Sequence, residues 1–183
     1  MRKVIFNISI SLDGYFEGPD HNIDWHIVDD DLNAYSLELL QNIDVLIFGR
    51  RIYELMAGYW PAVTDDNPIA KEMNETPKLV FSRSLKTVEW KNSQLASGSI
   101  ADEVARLKQI HGDGLLCVGG SELASAFLEQ GLVDEVRVIL VPILLGKGKP
   151  VFGDIKRRHE LKLLWTKKFE SGNIIMAYEP TPR

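Results

Sequence analysis

Twice in this chain an apolar run stops at glycine and a segment with helical spacing begins at once. The first is VLIFGRRIYE, residues 45–54, and the second is GLLCVGGSELASAFL, residues 114–128. A buried strand that turns straight into a helix belongs to α/β architecture, because a parallel strand needs a crossover, usually helical, to reach its neighbour. The remaining pattern agrees. Apolar spacing predicts strands over 2–12, 43–48, 78–82, 114–118 and 134–141, with short strands near 87–96. It predicts helices over 29–42, 51–57, 99–110 and 121–130, a loop at 13–28, and an irregular stretch at 58–76 carrying a short helix at 68–74. Helix and strand alternate to about residue 141, and the segments near 161–170 and 173–180 then read as a hairpin turning at Ser171-Gly172-Asn173. The expected fold is one α/β domain over 1–183, mostly parallel, with an antiparallel C-terminal end.

Composition narrows the function. The 183 residues are 45% hydrophobic and 26% charged, which suits one globular core of ordinary size. A formal net charge of −5 offers no basic face for nucleic acid. Cys117 is the only cysteine, which excludes an intrachain disulfide and a cysteine metal cluster and leaves an inert core thiol. The four histidines lack metal-ligand spacing such as H-E-x-x-H, so no metal site is expected. The opening MRKVIFNISISLDG lacks a long apolar region and a cleavage site, and no stretch approaches the roughly 20 apolar residues of a membrane span. A reduced cytoplasmic setting is the simplest expectation.

The first strand is the most informative. Val4, Phe6, Ile8, Ile10 and Leu12 share one face. The other carries Ile5, Asn7, Ser9 and Ser11, and leads to Asp13. A strand covered on both faces should be apolar on both, so the polar face is expected either to line a cleft or to meet solvent.

Three strand ends then present features that attract anions. At Gly119-Gly120 the absent Cβ atoms leave room for a close approach to the backbone, and Ser121 is positioned to cap the following helix, whose positive dipole end and unpaired N–H groups hold anions. After Gly49, Arg50 and Arg51 place forked cations where they oppose the helix dipole, so an anionic partner is favoured. Ser82-Arg83-Ser84, after the strand KLVF, offers hydroxyls and a guanidinium suited to a monophosphate such as the 2′-phosphate of NADP. Glycines that simply make tight turns, and arginines that simply face water, remain the alternatives. Ligands of open α/β sheets bind beyond the carboxyl ends of the strands, so three such ends would suit a ligand with several phosphates. The fingerprints GxGxxG after the first strand and GxxxxGK[ST] are absent, which argues against a standard Rossmann dehydrogenase or a P-loop NTPase.

SLDGYFEG at 11–18, FGRRIYELM at 48–56, YWP at 59–61, KLVFSRSL at 78–85, CVGGSELASAFLEQGLVDEVRV at 117–138 and VPILLGKGKPVF at 141–152 resemble the dihydrofolate reductase-like superfamily. Within it the chain is most similar to stand-alone proteins related to the C-terminal reductase domain of the riboflavin-biosynthesis deaminase-reductase. The resemblance implies a mixed, mainly parallel eight-stranded sheet flanked by helices, NADPH as cofactor and a homodimer. It implies that Gly49, Arg50 and Arg51 hold cofactor phosphates, that Ser82 and Arg83 meet the 2′-phosphate, and that Gly119, Gly120, Ser121 and Glu122 form the pyrophosphate turn. Ser9 would border the nicotinamide. Asp13 matches an aspartate near the substrate and is the candidate catalytic residue. Tyr15, Trp25 and Trp60 are candidate substrate walls, and Lys147 or Lys149 a candidate contact for a substrate phosphate. The carboxylate that dihydrofolate reductases carry in the first helix has no equivalent: the matching position falls near Asn33. The zinc signature of the deaminase cannot be built from one cysteine.

The expected activity is hydride transfer from NADPH to a small heterocyclic or sugar-derived substrate, as in a 5-amino-6-(5-phosphoribosylamino)uracil reductase. The alternatives are a non-catalytic nucleotide-binding or interaction module on the same fold, a weak dihydrofolate or pterin reductase, and a reductase using NADH or a flavin.

Overall fold

The computed structural model describes residues 2–64 and 66–181. Its centre is an eight-stranded sheet. The strands are β1 (Val4–Ser11), β3 (Ile43–Gly49), β4 (Lys78–Phe81), β5 (Ser93–Leu95), β6 (Leu115–Gly119), β7 (Glu135–Val141), β9 (Leu161–Lys168) and β10 (Ile174–Pro180). They run in the order β5-β4-β3-β6-β1-β7-β10-β9. All pairings from β5 to β7 are parallel, and β10 is antiparallel to both β7 and β9. The parallel core and the antiparallel C-terminal hairpin are as expected. Gly172, at φ +90°, makes the hairpin turn.

Among the described residues five α-helices cover the sheet: α1 (Asp30–Gln41), α2 (Arg50–Tyr59), α3 (Pro68–Glu75), α4 (Ile100–Gln109) and α5 (Ser121–Glu129). Alternation along β1 divides the core. Val4 and Phe6 face α4 and α5, packing with Val104, Leu107, Ala124 and Phe127. Ile5 faces α1, α2 and α3 with Leu32, Tyr35, Tyr53 and Met73. This double cover is why β3 and β6 read as continuous apolar runs.

Two expectations change. The stretch 13–28 is not only loop: β2 (Tyr15–Glu17) pairs antiparallel with β8 (Lys149–Pro150), making a small ribbon above the carboxyl end of β1. Of the region 87–96, only Ser93–Leu95 is strand, because Glu89 and Trp90 give their N–H groups to the Tyr53 hydroxyl instead of to a ladder. Among the described residues no helix is long and apolar enough to cross a membrane.

Candidate active site

The three anion-friendly strand ends lie side by side. β4, β3 and β6 are neighbours, and they stop at one level, with Gly49 opposite Phe81 and Phe48 opposite Gly119. Two of these ends lead directly into helices whose starts are bare. Gly49 is the N-cap of α2 and Gly120 the N-cap of α5, and neither helix has a side-chain cap. The other three helices are capped by side chains: α1 by Asp29, α3 by Asn67 and α4 by a reciprocal Ser99–Asp102 box. First-turn N–H groups without a side-chain partner, at the starts of two helices that follow neighbouring strands, concentrate positive potential at one place.

The glycines there have a closer reason than a ligand. A Cβ on Gly119 would stand 2.8 Å from the Phe48 ring, and one on Gly120 would stand 2.6 Å from Ile52. Gly120 also sits at φ +93°. The pair lets the turn after β6 press against the first turn of α2, and this draws the two helix starts together. Ser121 is not the cap expected of it: it is the first residue of α5, buried, with Gly120 in the cap position.

Charged side chains surround this edge. Arg50 pairs with Glu54 at 3.1 Å on the exposed flank of α2. Arg51 reaches the ribbon, pairing with Glu17 at 3.0 Å and touching His21, which itself lies 2.6 Å from Glu17. Glu122 pairs with Lys149 of β8, which, with Arg51 behind it, holds its carboxyl below the usual range. Ser82 accepts from the Ser84 and Leu85 N–H groups, closing the turn after β4. Arg83 is exposed and makes no ion pair among the described residues.

Asp13 is committed to structure. It accepts from the Ser11 hydroxyl at 2.6 Å and from the N–H groups of Leu145 and Gly146 at 3.1 and 2.7 Å. These bonds, Ser11 foremost, lower its pKa, so at neutral pH it is an ionised acceptor that fastens the loop after β1 to the loop before β8. Ser11 is fully buried in that network, whereas Asn7 and Ser9 are half-buried. The polar face of β1 is therefore half-covered by the protein and is not simply a solvated face.

The remaining candidates separate. Tyr15 lies in β2 against Gly148, and Lys147 is exposed at the loop before β8. Trp25 is buried in the loop before α1, donating to the Asn22 carbonyl, and Trp60 donates to the Met56 sulfur beside α2. Both tryptophans pack the protein's own elements. Asn33 turns away from the sheet into a groove with Ala34, Leu37 and Asn67, while Leu32, Tyr35, Leu39 and Leu40 are the buried residues of α1. Glu17, His21 and Tyr35 were not among the expected site residues. Glu17 had one signal, an acid in a segment of high turn content two residues past a tyrosine, but its partner Arg51 is 34 residues away.

Comparison with known proteins is consistent with this geometry. The family model of the RibD C-terminal domain matches residues 2–175. The chain is 33% identical over 180 residues to the uncharacterized protein YyaP of Bacillus subtilis, covering 97% of this chain and 94% of that protein. Among solved structures it superposes on a Shewanella sp. PV-4 protein assigned to riboflavin biosynthesis with TM-score 0.78 and 24% identity, both chains covered in full. It superposes on the Thermotoga maritima diaminohydroxyphosphoribosylaminopyrimidine deaminase/5-amino-6-(5-phosphoribosylamino)uracil reductase with TM-score 0.69 and 17% identity, over 98% of this chain and 57% of that one. It also superposes on dihydrofolate reductase from Enterococcus faecalis, a complex with NADP(H), with TM-score 0.65 and 14% identity, over 98% and 97% of the two chains. At these identities the structural matches speak to fold alone.

Proposed function

Because the chain belongs to the family of the RibD C-terminal domain, a group of reductase-like domains, we propose that it is an NADPH-dependent oxidoreductase acting on a small heterocyclic or sugar-derived substrate. The observation that carries this reading is the pair of bare helix starts at Gly49 and Gly120, side by side at the carboxyl edge of the sheet. The N–H groups of their first turns suit the pyrophosphate of a dinucleotide, and the glycine caps add no side chain that would compete. Arg83, one strand away and without an ion partner among the described residues, is the cation for a 2′-phosphate, with the Ser82 hydroxyl beside it. Arg50 and Arg51 flank the same edge and exchange their carboxylate partners for phosphate. Ser9, on the polar face of β1, borders the nicotinamide. When bound, NADPH supplies the hydride from its nicotinamide ring.

The protein's own residues orient the reactants and exclude water. Asp13 is a positioning residue in this scheme: it locks the loops that close over the end of β1, and its low pKa removes it as a proton donor at neutral pH. Holding two reacting carbons in near-attack geometry can supply several kcal/mol of the barrier reduction, on the order of 7–11 at best. We further propose that the enzyme acts as a homodimer in the cytoplasm.

Titration with NADPH and NADH, followed by nicotinamide fluorescence, tests the reading. Wild type should bind NADPH well below the NADH dissociation constant. Arg83→Ala should weaken NADPH by at least about tenfold, the loss of one charge-assisted contact, and leave NADH nearly unchanged. Equal losses for both nucleotides would remove Arg83 from the 2′-phosphate site, and no binding of either would remove the reductase reading.

A further inference from the structure

Two strands of three and two residues do not hold together unaided. β2 and β8 are paired only at Tyr15 with Pro150 and at Glu17 with Lys149, so side chains must keep this ribbon in place. At its base, Asp13 accepts from the Leu145 and Gly146 N–H groups, and the Tyr15 N–H donates to the Ser11 hydroxyl. On either side of that anchor the chain passes through a glycine at positive φ, Gly14 at +87° and Gly146 at +72°, and a Cβ on either would meet nothing within 4 Å. Backbone conformation, not packing, calls for glycine there. These are two points at which the ribbon can turn on a fixed base.

Away from the base, the ribbon is tied to both bare helix starts at once. Glu17 of β2 holds Arg51 of α2 at 3.0 Å, and Lys149 of β8 holds Glu122 in the first turn of α5. The two ties are unequal. The Glu122 side chain is 64% exposed, and a surface pair of that kind contributes little. The Glu17 side chain is 11% exposed, and a carboxylate so covered is tolerated only while a cation faces it. His21 also contacts Glu17, but it is exposed and belongs to the same segment of chain, so it moves with the ribbon and does not hold it to a helix.

We propose that the ribbon is a latch that a phosphate group releases: Glu17 occupies Arg51 in the free protein, the phosphate takes Arg51 over, and the ribbon then swings off the helix starts about Gly14 and Gly146. Glu17 and the phosphate compete for one guanidinium, so binding of the phosphate and closure of the ribbon oppose each other. The phosphate has the advantage of the first-turn N–H groups beside Arg51, which Glu17 does not use. Glu17 without its cation leaves its covered position, because the Lys149–Glu122 pair and two strand pairings return less than an unpaired buried carboxylate costs. The proposal rests on the dinucleotide reading for the carrier of the phosphate. A bound ligand ordinarily tightens the segments around its site, and this ribbon should respond with the opposite sign.

Hydrogen–deuterium exchange read by mass spectrometry follows both sides of the competition. With NADPH added, peptides covering 49–54 and 119–124 should exchange more slowly, as the helix starts take the phosphates. Peptides covering 14–24 should exchange several-fold faster. Glu17→Gln should exchange fast over 14–24 with or without NADPH. Glu54→Gln removes the same charge from the partner of Arg50 on the exposed flank of α2, and it should keep the wild-type response. Slower exchange at the helix starts with no acceleration over 14–24 would overturn the latch and leave the dinucleotide reading in place. A Glu17→Gln protein that exchanges like wild type without nucleotide would overturn it too, as would loss of the response in Glu54→Gln. If NADPH slows neither helix start, the dinucleotide reading falls and inorganic pyrophosphate becomes the probe. Acceleration over 14–24 by pyrophosphate then upholds the latch, and no acceleration ends it.

Discussion

Gly120 shows how a single residue can be read correctly for position and incompletely for cause. Its place after a strand and before a helix is plain in the sequence, and its φ of +93° explains why glycine is needed. What the sequence could not show is that Ile52, 68 positions earlier, occupies the space a Cβ would need. The same limit hid Lys78. It reads as an ordinary lysine at the start of a strand, yet it is 1% exposed, with its ammonium donating to the Asn74 and Lys91 carbonyls and lying 4.2 Å from the Trp90 ring centre. Burial, against the weaker pull of Glu75, depresses its pKa from 10.5 to about 8. Between about pH 8 and 10.5 the unfolded chain holds a proton that the folded protein has released. Stability therefore rises with pH across that window, by up to about 3 kcal/mol from this group. Wild type should gain melting temperature from pH 7.5 to 9.5, and Lys78→Met should lack that component. Identical pH profiles for the two proteins would show that Lys78 does not titrate in this range.

Among elements, those with one strong period were legible and those held by tertiary contacts were not. The strand-to-helix junctions at Gly49 and Gly119-Gly120 announce themselves because an apolar run, a glycine and an amphipathic stripe coincide. β2 and β8 did not, being three and two residues long with a shifted register between them. The ribbon persists because Asp13 fastens its base and the Glu17–Arg51 and Glu122–Lys149 pairs fasten its flank. Two successive non-glycine residues, Asp20 and His21, are held at positive φ beside that clasp, a conformation that costs energy and persists where surrounding contacts enforce it. Glu17 also gives Arg51 a carboxylate to hold where the proposed function gives it phosphate. Replacing Glu17 with Gln should free Arg51, so NADPH should bind several-fold more tightly while the melting temperature falls slightly with the loss of the pair. Limited proteolysis should cut more readily within residues 18–24 of this variant. Unchanged NADPH affinity would show that Arg51 serves only the ribbon.

For the whole molecule, the sheet class was legible but the strand order was not. The parallel core followed from helix-strand alternation, yet nothing local says that β1 stands between β6 and β7, since both pairings are made over long stretches of chain. That order has a consequence at the far end of the sheet, where β9 is an edge strand. Among the described residues its outer side faces no further strand, and Leu161, Leu163 and Leu164 are 42, 51 and 42% exposed. Exposed leucines on an open edge are an association hazard unless something covers them, and the proposed homodimer is the simplest cover. Lys162 lies between them and Lys167 and Lys168 follow on the same strand, so contact through the leucine side chains is a better basis for association than a continuous ladder in which like charges would approach. Replacing Leu161 and Leu163 together with Asp places two charges on the expected contact and leaves the core clusters untouched. Sedimentation velocity should then show a dimer for wild type and a monomer for the double variant, with NADPH binding retained because the bare helix starts lie on strands at the other side of β1. A wild-type protein that sediments as a monomer would end the homodimer proposal, and a double variant that remains dimeric would move the contact away from β9.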